Sequence, residues 1–317
     1  MTPKENEMKP EKTIETNNQL PPIPQEAFDW YDEYAHGDID RREFLRRLNG
    51  IALGALTMTV LTSSLIPNYA EANQVSFNDS EILASFEELD SPNGHGTGRG
   101  YLVKPTNMMD TAPAVLVVHE NRGLNPYIKD VARRLAKAGF LAFAPDALHP
   151  LGGYPGNDDV GRSMQKSLDR SKIEQDFIAA AKFLKSHSLS NGSVGAVGFC
   201  FGGYICNMLS AAIPEDISAS VPFYGTPAKE PLVQKVKGPL LMHYAVLDKR
   251  VNKSKPAYEA LLKDKGENYT MHMYPGVNHG FHNDSTGRYN EQAAELAWSR
   301  TIKFFEENLD SNSCGWC

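Results

Sequence analysis

The stretch Val197-Gly198-Phe199-Cys200-Phe201-Gly202-Gly203-Tyr204 decides how this sequence folds. It follows an apolar run that predicts a strand, and it opens a segment that predicts a helix. A glycine stands two residues before and two residues after Cys200, as in the Gly-x-Ser-x-Gly motif, with cysteine in the serine position. Glycines there let strand and helix approach closely around a strained turn. The motif predicts a nucleophile at a helix N-terminus, where the helix dipole favours the thiolate.

The chain around this motif alternates apolar runs with amphipathic segments. The apolar run 114–118 is typical of a strand that is covered on both faces. Strands are predicted at 80–89, 98–103, 114–118, 140–144, 194–199, 219–224, 239–244 and 269–274, and helices at 128–138, 171–187, 202–212, 255–265 and 290–308. This alternation predicts an α/β fold with a mostly parallel, twisted sheet of about eight strands and helices on both faces.

Two further residues fit a catalytic triad with Cys200. A nucleophile on such a turn works with an acid and then a histidine, in that chain order. Asp248 follows the predicted strand 239–244, and His279 follows the last one, so both order and location fit. The N–H of Phe201 would face a developing oxyanion. The alternative for Cys200 alone is a buried, inert cysteine after a core strand.

With these residues in place, the segment from about Phe86 to Leu309 resembles the dienelactone hydrolases (carboxymethylenebutenolidases) of the α/β-hydrolase superfamily. Their cysteine nucleophile separates them from most serine esterases. The similarity is greatest to a branch that carries a twin-arginine leader. The matching segments are His119-Glu120-Asn121-Arg122-Gly123-Leu124, Ala144-Pro145-Asp146, Gly198-Phe199-Cys200-Phe201-Gly202-Gly203, the strand and turn through Asp248, and His279-Gly280-Phe281.

The resemblance implies an α/β-hydrolase fold and hydrolysis of a lactone or ester through a covalent acyl-enzyme. It implies that Glu120 contacts the resting nucleophile and modulates it, and that Asn121 gives the second oxyanion N–H. A surface carboxylate is the alternative for Glu120. Family members hold the substrate carboxylate with arginines, for which Arg122 and Arg162 are the candidates here. No arginine stands between His279 and Arg288.

The first 72 residues predict a leader. The basic stretch 40–47 precedes the uncharged stretch 48–70, and Ala70-Glu71-Ala72 has a small-x-small cleavage pattern. Arg41-Arg42 before Glu43-Phe44-Leu45 resembles a twin-arginine (Tat) signal, although Asp40 stands where Ser or Thr is usual. We expect an N-terminal extension and signal segment (1–72), a hydrolase domain (73–310) and a C-terminal tail (311–317), with a periplasmic or exported protein starting near Asn73. The alternative is an N-terminal helix that stays attached, in the cytoplasm.

The amino-acid composition and net charge restrict the classes of molecule that this protein is expected to bind. Hydrophobic residues make up 41% of 317 residues and charged residues 22%, which excludes global disorder. The net charge of −7 argues against nucleic-acid binding. We expect a small-molecule ester or lactone substrate, no cofactor, no metal ion and no membrane span after processing. The alternatives are a thioesterase or peptidase that uses the same triad, and a thiol redox or binding protein. Cys314 and Cys317 lie in a C-terminal tail that we expect to have no functional role. The alternatives for this cysteine pair are a local disulfide or a metal site.

Overall fold

The computed structural model describes residues 22–69 and 73–309. The chain divides into two compact units, Met1–Thr62 and Ser63–Cys317. The boundary falls inside a short helix, α3 (Met58–Leu65). The predicted leader cleavage site, at 70–72, and the cysteine pair at 314 and 317 lie outside the described residues.

The N-terminal unit contains the helices α1 (Gln25–His36) and α2 (Arg41–Ile51). They are joined by stacked rings of Tyr34 and Phe44, whose centroids are 4.9 Å apart, and by an ion pair of 2.7 Å between Arg47 and Glu33. Asp40 caps α2 by accepting a hydrogen bond of 2.8 Å from the N–H of Glu43. Aspartate in the Ser/Thr position before the arginine pair is therefore a helix N-cap, a role those residue types share.

The uncharged stretch that the sequence presents at 48–70 is not one continuous helix. The helix α2 ends at Ile51, and α3 begins at Met58. Gly54, between them, adopts a positive φ of 60°. Among the described residues, none of the helices is long and apolar enough to cross a membrane.

The second unit is built on one eight-stranded sheet in the order β1-β2-β4-β3-β5-β6-β7-β8. The pairs β1–β2 and β2–β4 are antiparallel, and every other pair is parallel. The fold class predicted from the sequence is confirmed. The strands are β1 (Ile82–Ser91), β2 (Gly96–Pro105), β3 (Ala112–Val118), β4 (Leu141–Pro145), β5 (Ser190–Phe199), β6 (Ala219–Phe223), β7 (Leu240–Ala245) and β8 (Tyr269–Tyr274).

Helices cover both faces of this sheet because successive strand residues point to opposite sides. Leu116 packs in the cluster with α6, α7 and α9, whereas Val117 packs in the cluster with α4 and α10. The helices are α4 (Pro126–Lys137), α5 (Asp158–Ser167), α6 (Arg170–Ser186), α7 (Phe201–Ala212), α8 (Lys249–Asn252), α9 (Lys255–Asp264) and α10 (Glu291–Leu309).

The glycine-rich segment 152–159, which follows β4, runs into a helix that the sequence analysis did not predict. Its last two residues already belong to α5, which runs on to Ser167. Asn157 caps this helix by accepting hydrogen bonds from the N–H groups of Asp159 and Val160, and two aspartates stand in its first turn. Both features stabilise a helix start, and they outweigh the preceding glycines.

Parallel strands end at the same edge of a sheet, and that edge collects the predicted site residues. Glu120 follows β3, Cys200 follows β5, and Asp248 and His279 come shortly after β7 and β8. The carboxyl edge of an open α/β sheet is where ligands bind in such folds.

Candidate active site

Cys200 lies at the tip of a sharp turn between β5 and α7. Its backbone has φ 57° and ψ −109°, a conformation that L residues rarely adopt. The turn is held by the N–H of Cys200, which donates to the carbonyl of Phe223 at 3.1 Å, and by its carbonyl, which accepts from the N–H of Tyr204 at 3.2 Å. The thiol is half-buried, and it is reduced. A residue that is forced into a strained turn on a fixed strand–helix frame is presented at one defined position.

The glycines around Cys200 are required by close backbone approach. A Cβ on Gly202 would lie 2.8 Å from the carbonyl carbon of Val118 and 2.9 Å from the carbonyl oxygen of His119. A Cβ on Gly203 would lie 2.7 Å from the Cα of Gly225. The first turn of α7 therefore packs directly on the end of β3, just before the Glu120–Asn121 turn.

Asp248 and His279 form a buried hydrogen-bonded pair. The Nδ1 of His279 and the Oδ2 of Asp248 are 2.6 Å apart, and both side chains are buried. The other oxygen of Asp248 accepts from the N–H of Val251 at 2.9 Å, because Asp248 also caps α8. This cap fixes the carboxylate, which in turn orients the imidazole.

The pair lies within reach of the nucleophile. A ring nitrogen of His279 is within 4.8 Å of the Sγ of Cys200. Hydrogen bonds between a nucleophile and its base are often longer than 3.2 Å before a substrate binds. Cys200, His279 and Asp248 therefore lie close together in space. Their chain order, with the cysteine first, the aspartate second and the histidine last, is the one that the sequence predicts for a triad.

Glu120 is a buried carboxyl beside these residues, at 2% exposure. Its burial raises the pKa of this group, and the charge of Cys200 acts in the same direction. The positive charges of Arg122, Arg288 and His279 lower the pKa of Glu120. Its Oε2 lies 3.4 Å from the amide Nδ2 of Asn283, which donates to it. Glu120 thus lies close enough to Cys200 for their charges to interact, and the alternative of a surface carboxylate does not hold.

A histidine that the sequence analysis left without a role holds the turn that carries Glu120 and Asn121. His119 is fully buried, and burial lowers its pKa, so that the ring is neutral. Its Nε2 accepts from the N–H of Ala147 at 3.1 Å, and its Nδ1 therefore donates to the carbonyl of Glu120 at 2.5 Å. This fixed tautomer ties the turn to the end of β4.

Tyr224 and Arg288 also join the site, and sequence reasoning gave them no place in it. Tyr224 has a positive φ of 39°, and its ring centroid lies 4.7 Å from that of His279. Arg288 is buried, and a Cβ on Gly280 would lie 2.9 Å from its Nη2. The loop after β8 folds back through a hydrogen bond from the N–H of Asn290 to the carbonyl of Phe281. The arginine nine positions after His279 is thereby brought to face Glu120.

The two arginines that the resemblance suggested for substrate binding lie in different surroundings. Arg122 is buried and donates to Asp158 at 2.9 Å. Arg162, on α5, pairs with Asp159 three residues earlier at 3.1 Å and is more exposed. Arg122 is the nearer of the two to the chemistry, because its charge acts on Glu120.

The comparison with known families agrees with this geometry. A family model described as the dienelactone hydrolase family matches residues 99–309. The chain belongs to the dienelactone hydrolase family. It is accordingly a hydrolase of esters or lactones. A second model, described as YqhI-like, matches residues 16–52 of the N-terminal unit.

Known proteins and solved structures are similar to parts of this hydrolase that range from 36% to 73% of the chain. A hydrolase fragment, YghX, of Escherichia coli K12 is 61% identical over 114 residues, which are 36% of this chain and 97% of the fragment. Carboxymethylenebutenolidase 1 of Cupriavidus pinatubonensis is 26% identical, over 70% of this chain and 96% of its own length. The crystal structure of the dienelactone hydrolase-like promiscuous phosphotriesterase P91, from metagenomic libraries, matches 73% of this chain and 100% of its own, with a TM-score of 0.64 and 23% identity. That last likeness concerns the fold alone.

Proposed function

We propose that this hydrolase cleaves a small ester or lactone through a Cys200–His279–Asp248 triad and a covalent thioester intermediate. The observation that carries the proposal is the hydrogen bond of 2.6 Å between His279 and the capped Asp248, beside a cysteine on a strained turn. A histidine that is oriented by a carboxylate and faces a nucleophile is the arrangement that acyl transfer needs.

The reaction proceeds in two halves. The Sγ of Cys200 bonds to the acyl carbon, and the thiol proton passes to His279. When the carbon–oxygen bond breaks, His279 returns that proton to the leaving oxygen, which gives an alcohol and a thioester. Water then loses a proton to His279 and attacks the thioester, and the thiolate leaves and is reprotonated. The N–H groups of Phe201 and Asn121 bind the oxyanion in both halves.

Glu120 controls the resting state of the nucleophile in this proposal. A negative carboxylate beside Cys200 keeps the thiol protonated, because two negative charges at short range raise each other's pKa. When a substrate arrives, the same carboxylate helps the thiol to lose its proton to His279, because its negative charge stabilises the imidazolium that forms. The ionised form of Glu120 is therefore the active form, so we expect its titration to set the acid limb of the pH–activity profile.

The substrate is expected to be a small molecule. One relative is a carboxymethylenebutenolidase, which favours a lactone or an enol ester as a first choice. Arg250 places its Nη2 3.5 Å from the Nδ1 of His279. Two further cations near the nucleophile, Arg122 and Arg288, both act on the buried carboxyl of Glu120. A substrate carboxylate would have to compete with Glu120 for these charges, so we propose the ester or lactone group itself as the recognised element.

The test is a panel of lactones, aryl esters, thioesters and peptides assayed with the full chain and with the variants Cys200→Ala and His279→Ala. Both variants should lose at least about 10³-fold in kcat/KM on the best substrate. Full activity of Cys200→Ala would refute the proposal. If His279→Ala keeps its activity while Cys200→Ala loses it, a thiol redox or binding role is favoured. If a thioester or a peptide is the best substrate, the protein is a thioesterase or a peptidase instead.

We further propose that the segment with Arg41-Arg42 directs export by the twin-arginine route. The support is the order of a basic stretch followed by an uncharged stretch in the sequence. Cell fractionation should find the wild-type protein outside the cytoplasm and the Arg41→Lys, Arg42→Lys double variant inside it. Equal cytoplasmic amounts of both would contradict the proposal.

A further inference from the structure

Residues 63–69 lie just before the expected cleavage site, yet they belong to the compact unit that carries the candidate site. Leu65 is fully buried. The N–H of Asn68 donates to the carbonyl of Ser285 at 2.6 Å. Gly287 meets the carbonyl of Ser64 so closely that a Cβ at that glycine has no space. This segment, 63–69, which we name the strap, is thus attached to the loop that follows His279.

The far end of the strap is attached to a second loop of the site through Tyr69. The hydroxyl of Tyr69 donates to the carboxylate of Asp158, with distances of 2.8 and 3.0 Å to its two oxygens. It also accepts from the amide of Asn125 at 2.8 Å. Burial and the neighbouring Asp158 raise the pKa of Tyr69 well above its usual value, so that the phenol keeps its proton.

Asp158 is the point where the strap meets Arg122. Its carboxylate accepts from Tyr69, from the hydroxyl of Tyr154 at 2.9 Å and from Arg122 at 2.9 Å. Charge-assisted hydrogen bonds of this kind are among the stronger ones in proteins. The carboxylate also stands in the first turn of α5, where the helix dipole favours a negative charge. Arg122 is therefore held at a fixed position by a group that the strap itself holds.

Arg122 stands two residues after Glu120, and among the neighbouring charges it lowers the pKa of Glu120 most. A series of contacts thus runs from Tyr69 through Asp158 and Arg122 to the carboxyl that faces the nucleophile. Asn125 links the same hydroxyl to the start of α4, because its side chain caps that helix.

We propose that the strap is a permanent part of the hydrolase and that Tyr69 is a positioning residue, which holds Arg122 beside Glu120 through Asp158. The proposal rests on the proposed role of Glu120 in thiol activation. Cleavage before Asn73 would remove Tyr69, so the native protein keeps residues 63–69. Any processing of the leader then takes place at or before Ser63, or not at all.

The test compares the pH dependence of kcat/KM of full-length Tyr69→Phe, Asp158→Asn and wild type. Without the hydroxyl, Asp158 and Arg122 are held less firmly, and the pKa of Glu120 rises further. The acid limb of Tyr69→Phe should move up by about half a pH unit, with kcat/KM on that limb lower by up to about threefold. Asp158→Asn removes a negative charge as well, which lowers the pKa of Glu120, so its acid limb should lie below that of Tyr69→Phe.

Other groups that face Glu120 have to be considered when this profile is read. They come from several elements: Arg122 from its own turn, Cys200 from the start of α7, His279 and Arg288 from the loop after β8, Tyr127 from α4 and Tyr224 from the end of β6. All of these residues are unchanged in Tyr69→Phe. A shift of the acid limb in that variant therefore reports the strap.

The matched control is Tyr258→Phe, which loses a buried hydroxyl that donates to Asn207 at 2.9 Å on another part of the fold. It should lose a similar amount of thermal stability and keep the wild-type profile. A wild-type profile in Tyr69→Phe, or an equal shift in Tyr258→Phe, would overturn the positioning role. An intact mass that starts native, active protein at Asn73 would overturn the permanent strap. If Cys200→Ala is fully active, the proposed function fails instead.

Discussion

Gly202→Ala separates the positioning of the nucleophile from the stability of the fold. The new Cβ would lie 2.8 Å from the carbonyl carbon of Val118, against about 3.4 Å for ordinary contact, and its other close neighbours are backbone atoms as well. The start of α7 must therefore move by at least 0.6 Å (3.4 − 2.8) away from β3. A misplacement of this order costs about 10- to 100-fold in kcat/KM, and overpacking costs about 1–3 kcal/mol of stability.

The matched control is Gly195→Ala on β5, the strand that leads to Cys200. Its Cβ would lie 2.7 Å from the ring of Phe305 and 2.9 Å from Leu309, both side chains of α10 away from Cys200. We expect a similar loss of unfolding temperature and nearly normal kcat/KM. Steady-state assays together with thermal unfolding of both variants provide the comparison. If Gly202→Ala keeps kcat/KM within twofold of wild type, or if both variants lose activity equally, the close approach of α7 to β3 does not position Cys200.

Three further predictions concern the charged residues of the site. Burial holds the pKa of Glu120 in the folded protein above its pKa in the unfolded chain, so ionisation of Glu120 lowers the stability as pH rises through these two values. The unfolding temperature of Glu120→Gln should therefore exceed that of wild type at pH 8 but not at pH 4. An equal difference at both pH values would contradict this. Glu120→Ala should make Cys200 oxidise faster in a thiol titration under peroxide; equal rates would remove Glu120 from that role. Asp248→Asn should lower kcat by about 10³-fold or more through the wrong tautomer of His279, and an unchanged pH–rate profile with near-normal kcat would contradict the orienting role.

The sequence was sufficient for those parts of the site that depend on local pattern. The glycines at 198 and 202 predict a close strand–helix turn, and a Cβ at either position would meet backbone atoms. Asp248 and His279 were predicted from their location after strands, because parallel strands in one sheet end at one edge. Chain order and strand position are properties that a single sequence displays directly.

The remaining contacts depend on pairs that are distant in the chain. Tyr69 meets Asp158 across 89 positions, and Asn283 meets Glu120 across 163. No local periodicity indicates such pairs. Arg288 was set aside because it stands nine residues beyond His279, but the folded loop returns it to the site. The helix α5 was overlooked because glycines precede it, although Asn157 and the two aspartates after it are an N-terminal signal.

The most direct test of the central claim is to find the acyl-enzyme. The best substrate of the panel is mixed with the full-length protein, the reaction is stopped with acid within its first turnovers, and fragments are sequenced by mass spectrometry. The account predicts an acyl group on Cys200 rather than on Cys206, which is released by neutral hydroxylamine as a thioester and is absent from Cys200→Ala. An acyl group on another residue, or rapid turnover by Cys200→Ala, would contradict it.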